Sequence, residues 1–175
     1  MVYTRATFMI TLRAIEKDDL KRIQRWRNSD DVMPYCRQYK PLSQSDMLVW
    51  YDGLTKDKEY NLVNDLQLIE LDGIPIGVGG FVRIDWRNRK AEVSFYVGEI
   101  SKSNPATIQS ALMAIVQYGF TTLNLWKVYF PVYSNNNNLE TYKEVLKEEY
   151  VAKKEYYWNG KYLDRIILVK YNEAI

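Results

Sequence analysis

The sequence predicts a mixed α/β fold in which a mostly antiparallel sheet of about six or seven strands carries helices on both faces. Three observations lead there. Several separate runs alternate apolar and polar residues, the pairs Asp72-Gly73 and Asn159-Gly160 read as tight hairpin turns, and one long stretch between those hairpins has helical spacing instead. Strands on both sides of a single crossover helix imply a mixed sheet with that helix packed against it.

Taken in order, Met9 to Ile15 alternates and reads as a strand. Lys17 to Asn28 follows as a helix, with Leu20, Ile23 and Trp26 on one face and Asp18 and Asp19 in the first turn, where carboxylates meet the positive end of the helix dipole. Ser43 is the expected N-cap of a second helix whose face is Met47, Trp50, Tyr51 and Leu54. Leu66 to Leu71 and Ile76 to Asp85 flank the first hairpin turn, and Ala91, Val93, Phe95 and Val97 form the inward face of the next strand. Ile108, Ala111, Leu112, Ile115, Val116 and Gly119 mark the clearest helix, running to about Leu123. Val128, Phe130 and Val132 alternate in a further strand, where Pro131 cannot donate a ladder hydrogen bond and implies that one side is unpaired. Leu139, Tyr142 and Leu146 predict a last major helix, and the second hairpin closes the fold with a strand from Tyr162 to Tyr171.

The chain has 175 residues, which suits one domain spanning 1–175 with a core of its own. An apolar fraction of 47% and a charged fraction of 26% exclude a disordered or membrane-spanning chain. Met1 to Ile10 lacks the features of a secretory signal, so a cytoplasmic setting is expected. Cys36 is the only cysteine and histidine is absent, so no metal site is expected and nucleophile-histidine pairs are excluded. Acid-base chemistry then falls to carboxylates, tyrosines or water. A net charge of +2 with interspersed signs gives no nucleic-acid footprint, and the expected partner is a small or peptide-like molecule. The many tyrosines suit an interface, with a homodimer as one form.

The order and spacing of several short pieces resemble the GNAT superfamily of N-acetyltransferases, especially its ribosomal-protein N-terminal and amino-sugar branches. The pieces are Leu12-Arg13, Trp26-Arg27-Asn28, Pro41 with Ser43, Ile76-Gly77, Asp85, Ala91 to Gly98, Tyr118-Gly119-Phe120, Leu123-Asn124-Leu125, and Asn159-Gly160-Lys161-Tyr162 with Asp164. The resemblance implies transfer of acetyl from acetyl-CoA to a primary amine of a small molecule, amino sugar or peptide terminus by direct attack in a ternary complex. It also implies a gap between the strands of Val93 to Glu99 and Lys127 to Tyr133 that takes the acyl-CoA arm, with Tyr96, Val97, Gly98 and Asn135 beside it. The family's diphosphate loop falls on Ser103, Asn104, Ala106 and Thr107. There Pro105 has no N-H and Ile108 places a branched side chain where the backbone should approach phosphate, so the cradle is expected to be poor. A binding module that has lost its CoA site is the alternative, as is a site in which Lys102, Ser103 and Thr107 side chains hold the phosphates.

Acetyl transfer to an amine needs a base for the ammonium proton and an acid for the departing thiolate. By resemblance Tyr142 is the acid, with core packing as its rival explanation. Glu92 lies on the strand that lines the family's cleft and is the leading base, with a cross-strand ion pair as its rival. Asp85 is a weaker candidate that a turn would explain equally well. Arg27, Arg37 and Tyr39 belong to the segment that forms the acceptor wall in relatives, whereas Trp26 and Trp50 fall on apolar helix faces and are expected in the core. Cys36 has no histidine to activate it and is expected as a small buried hydrophobe.

Overall fold

The computed structural model describes residues 9–56 and 63–174; the first eight residues of the stretch read above for an export signal lie outside this range. Seven strands form one sheet in the order β1-β2-β3-β4-β5-β7-β6. They are β1 (Ile10–Arg13), β2 (Asp65–Leu71), β3 (Ile74–Asp85), β4 (Lys90–Val97), β5 (Lys127–Tyr133), β6 (Lys147–Trp158) and β7 (Lys161–Tyr171), and only the β4–β5 pair is parallel. Among the described residues four α-helices cover it: α1 (Leu20–Arg27), α2 (Gln44–Lys56), α3 (Pro105–Thr121) and α4 (Leu139–Lys143). No helix among the described residues is long and apolar enough to cross a membrane.

The alternation seen in the strands divides the core between the two faces. On one face Phe81, Val93, Phe95, Phe130 and Leu168 pack against Ile108, Leu112 and Ile115 of α3 and Tyr142 of α4. On the other, Leu68 and Val78 pack against Leu20, Ile23 and Trp26 of α1 and Met47 of α2. Trp26 is thus a core residue, and Trp50 packs at the edge of the same cluster, as their helix faces imply. The first hairpin turns through Asp72 at φ 52° and Gly73 at φ 76°, the left-handed pair that a two-residue turn requires.

Two elements differ from expectation. The helix read through Leu146 stops at Lys143: Val145 and Leu146 still donate to the Tyr142 carbonyl, but Lys147 has already paired with Val169 of β7. Sheet pairing outweighs the helical spacing there, and α4 has only five residues. At the start of the chain, a short 3-10 turn over Lys17–Asp19 precedes α1, because Asp19 accepts from Glu16 N at 3.0 Å and from Arg13 Nη1 at 2.8 Å. Arg13 also reaches Glu70 at 2.7 Å, which ties β1, β2 and the helix entry together.

Candidate active site between strands four and five

The parallel pairing of β4 with β5 covers only Lys90↔Lys127, Ala91↔Val128 and Glu92↔Tyr129. Beyond it the strands part, while β5 stays paired with β7 over its whole length, including Pro131 opposite Ile167. The side of β5 that faces β4 is therefore unpaired from Phe130 onward, as Pro131 implies. A cavity fills the gap, lined by Phe95, Tyr96 and Val97 of β4 and by Phe130, Pro131 and Val132 of β5. Asp31, Tyr35 and Cys36 of the segment after α1 close one side; Asn136, Asn138 and Tyr142 close the other.

Tyr142 is 4% exposed, and its ring meets Phe130 at 5.1 Å and Phe95 at 6.1 Å. Packing and a place on the cavity wall are both true of it. Burial pushes its phenol well above the ordinary range, with the Asn138 and Asn136 amides pulling the other way, so the hydroxyl keeps its proton. Tyr96 lies on the opposite wall with its hydroxyl buried and without a partner among the described residues, and the Arg27 guanidinium is 6.0 Å from its ring centre. Arg27 in turn donates to Gln38 at 3.2 Å; Gln38 and Asn28 then fasten the segment after α1 through Leu42. Cys36 is half-buried instead of fully enclosed, and burial pushes its thiol up.

Glu92 sits where the strands begin to part, 4% exposed, on the α1 and α2 side of the sheet. Arg37 donates to its Oε1 and Arg83 to its Oε2, the latter at 2.5 Å. The ion pair named as its rival reading is present, and one of the partners is the expected acceptor residue Arg37. Arg83 was not foreseen: a bulge between Val82 and Asp85, with Arg83 at φ 53°, breaks the alternation of β3 where Arg83 meets Glu92. Asp85 caps the following turn, accepting from Asn88 N at 3.0 Å and from its side chain at 2.8 Å. Tyr39 is 83% exposed and lines neither the gap nor the cleft beside Glu92.

The start of α3 corrects one expectation. Ile108 is 2% exposed and belongs to the core beneath the helix, so its side chain points away from the amides it was expected to obstruct. What occupies them is the chain itself. Ser103 N donates to Ile100 O, Asn104 N to Lys102 O and Ile108 N to Asn104 O, while the Asn104 side chain accepts from Thr107 N at 3.0 Å. Ala106 N alone in this stretch has no acceptor among the described residues. Gly98 is also placed differently: a Cβ there would overlap the Trp26 indole, so its smallness serves the packing of α1 on the sheet. Asn135 does not line the cavity, though its Oδ1 is buried without a donor, and its neighbours Asn136 and Asn138 do.

A strand gap lined on both sides, a phenol on its wall and a helix N-terminus after β4 agree with a match of residues 9–141 to the GNAT acetyltransferase domain family. The chain belongs to that family. A GNAT N-acetyltransferase uses acetyl-CoA as its co-substrate, and the gap between β4 and β5 fits the thioester arm: it offers unpaired strand backbone to a chain rich in amides. Spermidine N(1)-acetyltransferase of Escherichia coli K12 is 26% identical over 159 residues, which are 90% of this chain and 83% of that protein. The uncharacterised N-acetyltransferase p20 of Bacillus licheniformis is 27% identical over 82% of this chain and 85% of its own. The crystal structure of spermidine N-acetyltransferase from Vibrio cholerae in complex with CoA and spermine superposes with a TM-score of 0.79 at 25% identity, covering 93% of this chain and 95% of that one. These similarities do not single out the ribosomal-protein or amino-sugar branch of the resemblance.

Proposed function

We propose that this GNAT enzyme moves acetyl to the primary amine of a small molecule by direct attack, with both reactants bound, in the cleft where β4 and β5 part. The observation that carries the reading is the end of strand pairing at Glu92 and Tyr129, which opens the gap that runs to α4, with a second cleft beside Glu92 over β5, β6 and β7. Acetyl-CoA supplies the activated acyl group. Tyr96, Val97 and Pro131 hold its arm, and the N-terminus of α3, with Ala106 N and the side chain of Ser103, meets its diphosphate, whereas the Thr107 side chain is buried. Capture of the diphosphate by Thr107 N requires the Asn104 side chain to let go.

The acid is Tyr142. Its burial keeps the proton on Oη, where the leaving sulfur can take it up. Glu92 receives the ammonium proton, directly or through a water molecule that it orders, and Arg37 and Arg83 yield one carboxylate oxygen for this step. Arg27 and Arg37 shape the acceptor wall. The polyamine acetyltransferases among the relatives support an amine acceptor of low mass, in preference to a folded protein.

Thiol release with acetyl-CoA and an amine panel tests this. Tyr142→Phe should lower kcat about 10²-fold with little change in KM for acetyl-CoA, the size expected for loss of a positioned acid. A variant that retains full kcat would remove Tyr142 from the chemistry.

A further inference from the structure

The cleft on the β5–β7 side of Glu92 has a charge pattern of which the mechanism above uses only Glu92 and Arg83. Its walls carry four cations, Arg83, Lys90, Lys127 and Arg165, and two carboxylates, Glu92 and Glu149. Both carboxylates are committed. Glu92 is held by Arg37 and Arg83, while Glu149 takes Lys127 at 2.8 Å on each oxygen and the Tyr171 hydroxyl at 2.7 Å. Arg165 gives one Nη to Glu155 at 2.7 Å, yet its Nε is buried with no acceptor among the described residues. A buried charged donor without an acceptor is costly, and an oxyanion in the cleft would supply one.

We propose that the amine acceptor carries an oxyanion, a carboxylate or a phosphate, held by Arg165 and Arg83 while its amine lies at Glu92. This rests on the reading that the cleft is the acceptor site. A polycation fits it poorly: the lining holds four cations to two carboxylates, with Lys90 and Arg165 paired to Asp85 and Glu155 outside it, and once Glu92 takes one ammonium only Glu149, already held by Lys127, is left for a second. The neighbouring cavity adds a single carboxylate, Asp31, which matches one ammonium and not three. The preference thus departs from the substrates named for the spermidine acetyltransferases, whose identity to this chain is about a quarter.

The test uses the full chain loaded with CoA and two matched pairs: 2-aminoethyl phosphate against ethanolamine, and β-alanine against its amide, with spermidine as the polycation. Calorimetry measures binding, and thiol release from acetyl-CoA measures kcat/KM. The anionic member of at least one pair should exceed its neutral twin about tenfold to a hundredfold, the range of a charge-assisted contact, and which pair responds separates phosphate from carboxylate. Added salt should narrow the margin. Arg165→Gln should collapse the ratio, with Arg165→Lys retaining part of it. Neutral twins or spermidine equal to or better than both anionic amines would overturn the proposal, as would an unchanged ratio in Arg165→Gln. Binding of an anionic amine without thiol release would leave the oxyanion site standing and refute transfer in this cleft; thiol release with spermidine alone would do the reverse.

Discussion

Gly98→Ala isolates the contact that sets α1 on the sheet. The backbone of Gly98 is not in the left-handed region, so alanine meets no conformational barrier, and the nearest obstacle is the Trp26 side chain, at its Cβ, Cγ and Cδ2. Those atoms are the base of the side chain, which no rotation of a flexible end can withdraw. Trp26 is 2% exposed and enclosed by Leu20, Ile23, Met47 and Val78, so relief requires α1 to shift. Overpacking of this kind costs about 1–3 kcal/mol, and the rigidity of the contact argues for the upper half, partly offset by about 0.4–1 kcal/mol from the stiffer unfolded chain. The expected net loss is about 1–2.6 kcal/mol, read as a fall in Tm of roughly 2–10 °C. Thermal unfolding checks it, and in a Trp26→Ala background, which lacks Cγ and Cδ2, Gly98→Ala should cost less than in the parent, since the two residues touch. A shift of α1 also carries Arg27 and the segment tied to it, so KM for the amine should rise more than KM for acetyl-CoA. An unchanged Tm would refute the packing explanation and return Gly98 to a role at the ligand.

The remaining predictions concern charge and capping. Asp19 is held below the ordinary carboxylate range, chiefly by its hydrogen bond from Arg13, so the pair stabilises the fold above about pH 4 and the benefit drains away as pH falls through the lowered value. Asp19→Asn should cost about 1–2 kcal/mol at pH 7, less than a fully buried pair because Arg13 is partly exposed and keeps Glu70, and the gap to the parent should close toward acid in denaturant titrations run across pH; a constant gap would count against the linkage. Asn104→Ala removes the N-cap of α3 and should cost about 1 kcal/mol, while freeing Thr107 N for phosphate. Calorimetry should then show acetyl-CoA affinity equal to or above that of the parent, and a marked loss would mean that Asn104 itself holds the ligand.

Much of the fold was legible because burial on each face writes a period into the chain. The strands and hairpins follow from alternation and Asx-Gly pairs, and Pro131 announced the unpaired flank of β5 from a missing N-H alone. The site was less legible, for identifiable reasons. Arg83 reaches Glu92 only through a bulge, and a bulge breaks the alternation on which such a reading depends. Ile108 looked obstructive because position in a motif says nothing about which way a helical side chain faces; the core spacing of Ile108, Ala111, Leu112 and Ile115 held the answer. Asn136 and Asn138 were hidden in a polar run whose members the sequence cannot tell apart. Tyr39 is grouped with the acceptor wall by its neighbours in sequence, and it stands in solvent at 83% exposure.

The order of strands along the sheet has a consequence for assembly of the chain during synthesis. β7 lies between β5 and β6, so the last two strands to be made are the ones that secure β5, whose hold on β4 amounts to three residue pairs. Until they arrive, β5 offers an open flank on either side to any passing strand, and the ligand gap has only one firm wall. The reaction cleft is therefore among the last features to become real, and it depends on a hairpin that lies beyond the stretch by which the family is recognised.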